Sequence, residues 1–289
     1  MANNITKFKK YIDLLDEVYK VNAKTSVLDG DTTLVRAGAN ADEIIIPKMS
    51  LDGLADYSRN SGYVNGDVTL TNETVKFNYD RGRAFTVDAM DNEETAGVAF
   101  GKLSSEFLRT KVVPEVDAFR LSTYAGIEGI SSATGTLADG NAALSAIVTA
   151  ISKMDDDEVS EEGRVLFITP TLYNQILNVD TYKSKEIMSR FSSVVTVPQS
   201  RFYTAIELAD GTTSGETAGG FTKAADAKDI NFMIIQRDAV LQYPKHVVNK
   251  VVSPEENQTS DGWKFFYRSY GLADVYENKV AGIYVHHQA

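Results

Sequence analysis

The sequence predicts an α+β protein with a β-rich first third, one long helix, a mixed α/β segment and a mainly β end. Residues 51–87 alternate polar and apolar side chains, as in half-exposed strands. Residues 91–124 repeat apolar side chains at helical spacing, and short apolar runs such as residues 230–235 are typical of buried strands. These three patterns place strands and helices in separate stretches of the chain, which indicates the α+β class.

The composition limits the classes of function. The 289 residues carry a net charge of −11, with 43% hydrophobic and 24% charged side chains, as in an ordinary globular protein. The chain has no cysteine, which excludes disulfides, thiol nucleophiles and thiolate metal ligands. The acidic balance disfavours a protein that coats nucleic acid, because such binding needs lysine and arginine to neutralise phosphates. No apolar run reaches the ~20 residues that span a bilayer. The first residues lack a secretory signal, so we expect a cytoplasmic protein.

Three elements are predicted in the first third. Residues 5–21 have the spacing of a short amphipathic helix, which needs a packing surface because isolated helices of this length are marginal. Residues 43–47 indicate a buried strand that ends at a proline. Residues 51–87 predict a long β-hairpin that turns at Asn65–Gly66 and has too little apolar surface to form a core. Such a hairpin gains stability by lying on another surface.

The long helix is predicted to begin at Asp91, which can cap it, and to run towards Tyr124 with a kink at Pro114. A helix of this reach is on the order of 40 Å long. Residues 126–140 are rich in glycine, serine and threonine and predict a linker between domains. The remaining predicted elements are helices at residues 141–154 and 170–177, strands at 165–168, 193–197, 230–235, 264–270 and 280–285, and a mobile loop at 210–220.

The chain lacks the motifs of common active sites. It has no Gly-x-Ser-x-Gly elbow and no phosphate-binding Gly-x-x-x-x-Gly-Lys loop. His246, His286 and His287 are its only histidines, and the last two lie at the C-terminus, where chains often fray. We therefore predict no catalytic, cofactor or metal site, and a protein that is not an enzyme.

Two further groups of residues each have two interpretations. Residues 155–158 are the densest charge run, and they lack the alternating ligands and glycine of a calcium loop, which favours a solvated acidic loop. Trp263, Phe265, Tyr267 and Tyr270 could form a sugar-binding platform, but their strand spacing favours core or interface packing.

Three stretches of the sequence resemble one family of proteins. The segments Phe-Ile-Thr-Pro-Thr-Leu-Tyr at 167–173, Val-Pro-Gln-Ser-Arg-Phe at 197–202 and a closing stretch, 261–268 through 282–285, are similar to parts of tailed-bacteriophage major capsid proteins. The order of elements is similar as well: an N-terminal arm, an extended hairpin, a long spine helix, an inserted α/β lobe and a β-rich end. The resemblance covers nearly the whole chain. Encapsulins and the herpesvirus capsid floor share this fold.

The resemblance implies a tailed-phage capsid-type fold in four parts. These are an N-terminal arm (1–40), the extended β-hairpin loop and spine helix of a peripheral domain (41–125), an axial domain (126–235) and a closing β-rich segment (236–289). It implies that copies of this subunit form the hexamers and pentamers of an icosahedral shell, which encloses double-stranded DNA without sequence-specific contact. There is no room for a scaffolding segment before the arm, so we expect a separate scaffolding protein or prior removal, and a portal protein. The subunit is expected to assemble in the bacterial host cytoplasm and to reside in the virion capsid, with no cofactor.

The hairpin supplies the candidate contacts between subunits. These are Tyr57, Arg59, Tyr63, Arg81 and Arg83. Arg81 and Arg83 can clamp a phosphate or a carboxylate, but pairing with a partner's acidic residues is favoured. Since the hairpin contributes to the shell and not to the core, we expect residues 57–80 to be replaceable without loss of subunit folding.

Two other functions remain open. An encapsulin nanocompartment has the same fold and encloses a cargo enzyme in place of DNA. A carbohydrate-binding surface protein would account for the aromatic, β-rich end of the chain, and it would bind glycans without forming a higher-order assembly.

Overall fold

The computed structural model describes residues 23–30, 36–37, 43–90, 98–179 and 181–289. The helix predicted at residues 5–21 and the predicted helix start at Asp91 lie outside these ranges. Within them, no helix is long and apolar enough to cross a bilayer. The described chain contains both helices and several β-sheets, so the predicted α+β class is confirmed.

The first sheet forms an element that we name the arm, which is different from the N-terminal arm (1–40) named above. Its order is β1 (Arg36–Ala37), β2 (Glu43–Leu51) and β3 (Val68–Lys76). The antiparallel β2–β3 ladder runs from the Glu43–Lys76 pair to the Leu51–Val68 pair. The predicted turn at Asn65–Gly66 is therefore wrong: β2 and β3 are joined by the whole loop of residues 52–67.

The next strand, β4 (Tyr79–Asp88), leaves the arm and joins a second sheet, so the predicted hairpin of residues 51–87 is wrong in its second half. That sheet has the order β11 (Val240–Val252), β12 (Gly262–Val275), β4. The change of sheet is fixed at Asn78, whose amide donates to the Ala273 carbonyl at 2.7 Å and accepts from the Ala273 N–H at 3.1 Å. A side chain that bonds β12 in this way directs the chain away from β3.

The long helix packs across the second sheet. It consists of α1 (Val98–Phe107), a π turn (Leu108–Val112) and α2 (Val113–Ala125), and at 1.5 Å per residue it spans about 40 Å. The Val113 N–H bonds the Leu108 carbonyl across the π turn. Pro114 has no N–H to donate. In place of the kink predicted at Pro114, the helix has this π turn directly before the proline. The packing places Leu108, Val112 and Val116 against Phe265 and Tyr267 of β12.

Burial of Phe265 and Tyr267 confirms that these two rings are packing residues. Tyr270 lies against Phe77, with ring centroids 4.9 Å apart. The aromatic residues of β12 thus join the sheet to the long helix and to the arm.

A five-stranded sheet flanked by helices forms an α/β lobe. Its strand order is β5 (Ser131–Thr134), β13 (Ile283–His287), β10 (Ile230–Gln236), β6 (Arg164–Ile168) and β7 (Ser193–Thr196), and its helices are α3 (Gly140–Asp156), α4 (Pro170–Leu177) and α5 (Thr181–Ser189). A separate two-stranded sheet pairs β8 (Ile206–Leu208) with β9 (Phe221–Lys223). The helices predicted at 141–154 and 170–177 and the strands predicted at 165–168, 193–197 and 230–235 are confirmed.

Two predictions about this lobe are wrong because strands pair across the sequence. The predicted linker at 126–140 contains β5, which pairs in parallel with β13 at the chain's end. The two terminal histidines are therefore not a frayed tail. His286 is buried, with its Nδ1 3.0 Å from the Asn231 amide and its ring stacked 5.1 Å from Phe232. Burial lowers the pKa of His286, and the adjacent His287 lowers it further.

The predicted acidic loop at 155–158 begins inside α3. Asp155 pairs with Arg164 at 2.7 Å and with Arg190 at 3.0 Å. Desolvation alone would raise the pKa of Asp155, but the bonds from both guanidinium groups hold it below its ordinary value. Since Arg164 is buried, this pair fastens the end of α3 to β6.

Candidate assembly surface

The root of the arm is part of the protein core. Ile44 of β2 and Val75 of β3 are buried in one cluster with Leu241 of β11 and Leu272 of β12. These contacts attach the ladder to the second sheet at the end where β2 begins. The expectation that residues 57–80 contribute nothing to the core is therefore wrong, because that stretch includes Val75.

An ionic cluster reinforces this root. The Lys48 ammonium of β2 lies 3.7 Å from the Glu73 carboxylate of β3 and also pairs with Glu277 of the body. Burial raises the pKa of Glu73, and the nearby Glu277 carboxylate raises it further. One lysine thus bridges two carboxylates where the arm meets the body.

The far end of the arm is exposed and apolar. Eight of the thirteen exposed large hydrophobic side chains in the described chain lie between residues 49 and 70: Met49, Leu51, Leu54, Tyr57, Tyr63, Val64, Val68 and Leu70. The outer edge of β3 also has no strand partner among the described residues. Many exposed apolar side chains in one segment, next to an open strand edge, are typical of a site that another molecule covers.

We name residues 52–67 the arm tip. Its base is closed by Asp52, whose N–H donates to the Asp67 carbonyl at 3.2 Å and whose carboxylate accepts from the Asp67 N–H at 2.8 Å. Further out, Ser58 and Gly62 form a β-bridge. The bridge needs a left-handed backbone at Gly62, where φ is +79°.

The structure brings three of the predicted contact residues together at the arm tip. The rings of Tyr57 and Tyr63 meet edge to face with centroids 4.9 Å apart, and Arg59 lies exposed between them in sequence, at the Ser58–Gly62 turn. A role for these three residues in contacts between subunits stays a prediction.

Arg81 and Arg83 lie elsewhere, on β4, and have partners within the same chain. The Arg81 guanidinium bonds the Glu115 carboxylate of α2 at 2.8 Å, and Tyr79 donates to the same carboxylate at 3.2 Å. Arg83 donates to the Thr217 carbonyl at 2.9 Å. Arg81 therefore pairs with an acidic residue of its own subunit, whereas the sequence analysis favoured an acidic residue of a partner. A contact of either arginine with a second subunit stays a prediction.

Both arginines line an open cleft of about 590 Å³. Its floor is aromatic and aliphatic, formed by Phe85, Leu103, Phe107 and Tyr267. One wall is the loop of residues 209–220 between β8 and β9. The sequence analysis predicted that residues 210–220 of this loop are mobile. That loop is held by hydrogen bonds from Arg81 to the Gly220 carbonyl and from Arg83 to Thr217.

A buried polar junction, which the sequence analysis did not predict, joins three parts of the chain. Asp117 of α2 is fully buried and accepts from the backbone N–H groups of Lys24 and Thr25 at 3.1 and 3.0 Å and from the Thr25 hydroxyl at 2.9 Å. Arg201, which follows β7, adds an ion pair at 3.0 Å. The junction therefore ties residues 23–30 and the α/β lobe to the long helix.

A second layer of polar contacts surrounds this junction. Gln242 donates to the Thr25 carbonyl at 2.7 Å and accepts from the Tyr124 hydroxyl at 2.9 Å. Burial raises the pKa of Tyr124, which keeps that hydroxyl protonated as a donor. A sequence signal for the junction did exist: Asp117 lies four residues from both Val113 and Leu121, on the buried stripe of the helix.

Within the described residues, no three histidine, aspartate or glutamate side chains gather as metal ligands. The notable features are thus an exposed arm, an open cleft and a buried junction.

Comparison with known proteins gives matches among solved structures alone. No protein-family model matches the chain, and no curated protein matches it. Solved structures do match. One from Mycobacterium phage Che8 has 13% identity and a TM-score of 0.60, covering 86% of this chain and 85% of that one.

Two further structures extend the comparison. The mature capsid of bacteriophage PhiM1 has 11% identity and a TM-score of 0.55, with 88% and 84% of the two chains covered. A virus-like particle from Pyrococcus furiosus has 12% identity and a TM-score of 0.57, with 96% and 98% covered. The chain therefore has the fold of tailed-phage capsid proteins, which the Pyrococcus furiosus particle shares.

Proposed function

We propose that this chain is the major capsid protein of a tailed phage, a structural subunit with no catalytic role. Copies of it form the hexamers and pentamers of an icosahedral shell around double-stranded DNA. The observation that carries the proposal is the exposed apolar arm, which projects from a fold shared with phage capsids.

The physical argument concerns the cost of leaving the arm uncovered. Burying one large apolar side chain contributes about 1.5–3 kcal/mol, and the exposed residues of the arm are concentrated in 22 positions of the chain, 49–70. Monomers rarely concentrate so many exposed large apolar side chains in one segment. Covering it with neighbouring copies accounts for the arm and requires no further protein.

The charge of the chain fits a container. A subunit of net charge −11 is unsuited to binding phosphates tightly, so the DNA is enclosed without sequence-specific contacts. The further partners that we propose are a scaffolding protein and a portal protein. The location that we propose is the virion capsid, after assembly in the bacterial host cytoplasm.

The second candidate is the shell of a nanocompartment that encloses a cargo enzyme. The near-complete mutual coverage with the virus-like particle, 96% and 98% of the two chains, favours it. The contents of purified particles distinguish the candidates. Nuclease-protected double-stranded DNA supports the phage capsid, and a second protein inside nuclease-treated particles supports the nanocompartment.

The direct test is assembly. Purified protein, alone and with the product of a neighbouring scaffold gene, is examined by sedimentation velocity and electron microscopy. We expect capsomers or closed shells. A protein that stays monomeric in every condition would contradict both candidates.

A further inference from the structure

We propose that Asn65–Gly66, in the arm tip, is a site of spontaneous covalent modification, at which the chain converts its own asparagine into aspartate and isoaspartate. The backbone nitrogen of Gly66 first attacks the side-chain carbonyl carbon of Asn65, and water then opens the cyclic imide that results. Asparagine is among the thermolabile residues of proteins. No other Asn-Gly pair occurs in the 289 residues of the chain.

The reaction consumes only water. The Gly66 nitrogen forms a bond to the Asn65 Cγ while the Cγ–Nδ2 bond breaks, and the amide nitrogen leaves as ammonia together with the Gly66 proton. Water then adds to either carbonyl carbon of the imide. Opening at the side-chain carbonyl gives an aspartyl residue, and opening at the backbone carbonyl directs the main chain through Cβ and Cγ as an isoaspartyl residue. Nothing is oxidised or reduced, so the step needs no cofactor and no second enzyme.

The attacking nitrogen is accessible in the structure. Asn65 and Gly66 are exposed and lie in the loop between β2 and β3, outside any helix or strand. Among the described residues, no group accepts a hydrogen bond from the Gly66 N–H. The base of the tip is closed by other atoms, since the Asp67 N–H bonds the Asp52 carboxylate and the Asp52 N–H bonds the Asp67 carbonyl. Attack by the Gly66 nitrogen therefore leaves the closure of the tip intact.

Glycine at position 66 also removes the usual steric barrier. It has no Cβ beside the attacking nitrogen, and its backbone rotates more freely than that of any other residue. A ladder or a helix would hold the backbone at Asn65 in one conformation. A surface loop permits the rotation that brings the nitrogen onto the carbonyl carbon, and its exposure admits the water that opens the imide.

Two nearby asparagines lack these features. Asn60 is followed by Ser61, which has a Cβ and whose N–H donates to the Ser58 hydroxyl at 3.2 Å. Asn72 lies within the β2–β3 ladder, which fixes its backbone. The reaction is therefore expected at Asn65 and not at the other two.

Both products change the arm tip. The tip holds three aspartates and one arginine, a net charge of −2, and either product adds a further negative charge. The isoaspartyl product also inserts a methylene group into the main chain, two residues before the Asp67 N–H that bonds Asp52. A subunit that stays unassembled is thus altered at a surface that its neighbours would cover, whereas a covered tip excludes water and restrains the loop. This consequence for assembly rests on the proposed function.

Peptide mapping tests the site. Unassembled wild-type protein is incubated at mildly acidic and mildly alkaline pH, and samples are cleaved with trypsin at intervals. Cleavage after Arg59 and Lys76 gives one peptide, residues 60–76, that contains Asn60, Asn65 and Asn72. Mass spectrometry therefore compares the three side chains within one peptide. We expect Asn65 to convert severalfold faster than the other two, and faster at alkaline pH because the nitrogen then loses its proton more readily. Conversion of Asn65 no faster than that of Asn60 or Asn72 would overturn the proposal.

Gly66→Ala is the matched variant for the attacking nitrogen. Its added Cβ would lie 3.4 Å from the Asp52 Cβ, an ordinary contact, and the backbone at Gly66 is not in the left-handed region. The loop therefore accepts alanine, and an unchanged Tm checks this. We expect conversion of Asn65 to slow severalfold in Gly66→Ala, and no product in Asn65→Gln, whose longer side chain would have to close a larger ring. Equal rates in Gly66→Ala and the wild type would contradict the mechanism.

Assembly separates this inference from the proposed function. Wild type and Asn65→Gln are each aged as unassembled subunits, and the particle yield of each is compared with that of its own fresh protein. We expect ageing to lower the yield of the wild type alone, and Asn65 to convert more slowly in particles than in free subunits. If neither occurs, the consequence for assembly is wrong while the shell function stands. If the wild type never assembles, the proposed function fails, and the peptide map still decides whether Asn65 is modified.

Discussion

Replacing Asp117 by alanine is expected to destabilise the unassembled subunit by about 3–5 kcal/mol, which is the range for removing one member of a buried ion pair. Asp117 is fully buried and accepts three hydrogen bonds from Lys24 and Thr25. Its loss leaves those donors and the Arg201 guanidinium without their partner. At about 2 °C per kcal/mol, the low end of the range for a chain of this size, Tm falls by roughly 6–10 °C.

The matched control is Asp80→Ala. Asp80 bonds Arg268 at 2.6 and 2.9 Å, which is shorter than the 3.0 Å between Asp117 and Arg201. Distance alone would therefore rank Asp80 as the stronger partner. Its side chain, however, is 46% exposed and that of Arg268 is 59% exposed, so water competes and the pair contributes about 0–1 kcal/mol. We expect Asp80→Ala to lower Tm by at most about 2 °C.

Thermal unfolding of unassembled subunits measures both variants, and hydrogen exchange adds a local readout. In Asp117→Ala the amides of Lys24 and Thr25 should exchange faster, while those of β6 (Arg164–Ile168) change only with global stability. Equal Tm losses for the two variants would refute the argument that burial, and not distance, sets the strength of these pairs.

Three further predictions follow from the structure. Replacing residues 52–67 by a short Gly-Ser turn, with the β2–β3 ladder kept, should change the free energy of unfolding by less than about 1 kcal/mol but abolish shells in electron micrographs. An unfolded variant, or a variant that still forms shells, would contradict this prediction. Gly140→Ala should lower the free energy of unfolding by about 1–3 kcal/mol, because the added Cβ would lie 2.3 Å from the Gln175 carbonyl oxygen. Gly53→Ala, where an added Cβ has nothing within 4 Å, should leave the free energy of unfolding unchanged in denaturant titration. The lowered pKa of His286 means that the folded state binds a proton at this ring less readily than the unfolded chain does. The stability that His286 contributes is therefore present above about pH 6.5 and is lost as the pH falls below that value. Between pH 7 and pH 5, the Tm of His286→Gln should fall less than the Tm of the wild type.

The regular elements of the α/β lobe could be predicted from sequence because their side chains leave an unambiguous period. The run at residues 165–168 is buried on every side in β6 (Arg164–Ile168), so each residue is apolar. The helix predicted at 141–154 buries one stripe in α3 (Gly140–Asp156), so its apolar residues recur every three to four positions. In both elements the burial pattern is local, and the sequence contains it.

Strand partners could not be predicted, because pairing depends on residues far apart in the sequence. Asn65–Gly66 favours a tight turn locally, yet it lies in the loop of residues 52–67, since β2 and β3 pair in a register set by Ile44 and Val75 at the buried root. The serine-rich stretch that contains β5 has no apolar pattern at all. It forms a strand because it pairs with the edge of β13, some 150 residues later in the chain.

The candidate site could be predicted in part for the same reason. Tyr57, Arg59 and Tyr63 are near one another in sequence, so a turn suffices to bring them together. Arg81 looked like an exposed arginine because the sequence gives no indication that Glu115, 34 residues later, packs against it. A long side chain with several donors can reach such a partner from many backbone positions, so the contact leaves no periodic pattern in the sequence.

The division of the arm into a buried root and an exposed tip separates the stability of the subunit from that of the assembly. The Ile44 and Val75 contacts fix the position of the ladder in the isolated subunit. Covering the tip therefore orders few additional groups, and the loss of conformational entropy is small. In the proposed shell, a covered tip buries only a few apolar side chains, each contributing about 1.5–3 kcal/mol, and one such contact between two subunits is weak. A subunit in a closed capsomer of the proposed kind has a neighbour on either side, so it leaves only when two contacts break together, and the second contact forms at a high effective concentration. The proposed function therefore accounts for a tip that stays uncovered until neighbours are present, because closure of the capsomer converts individually weak contacts into a stable assembly.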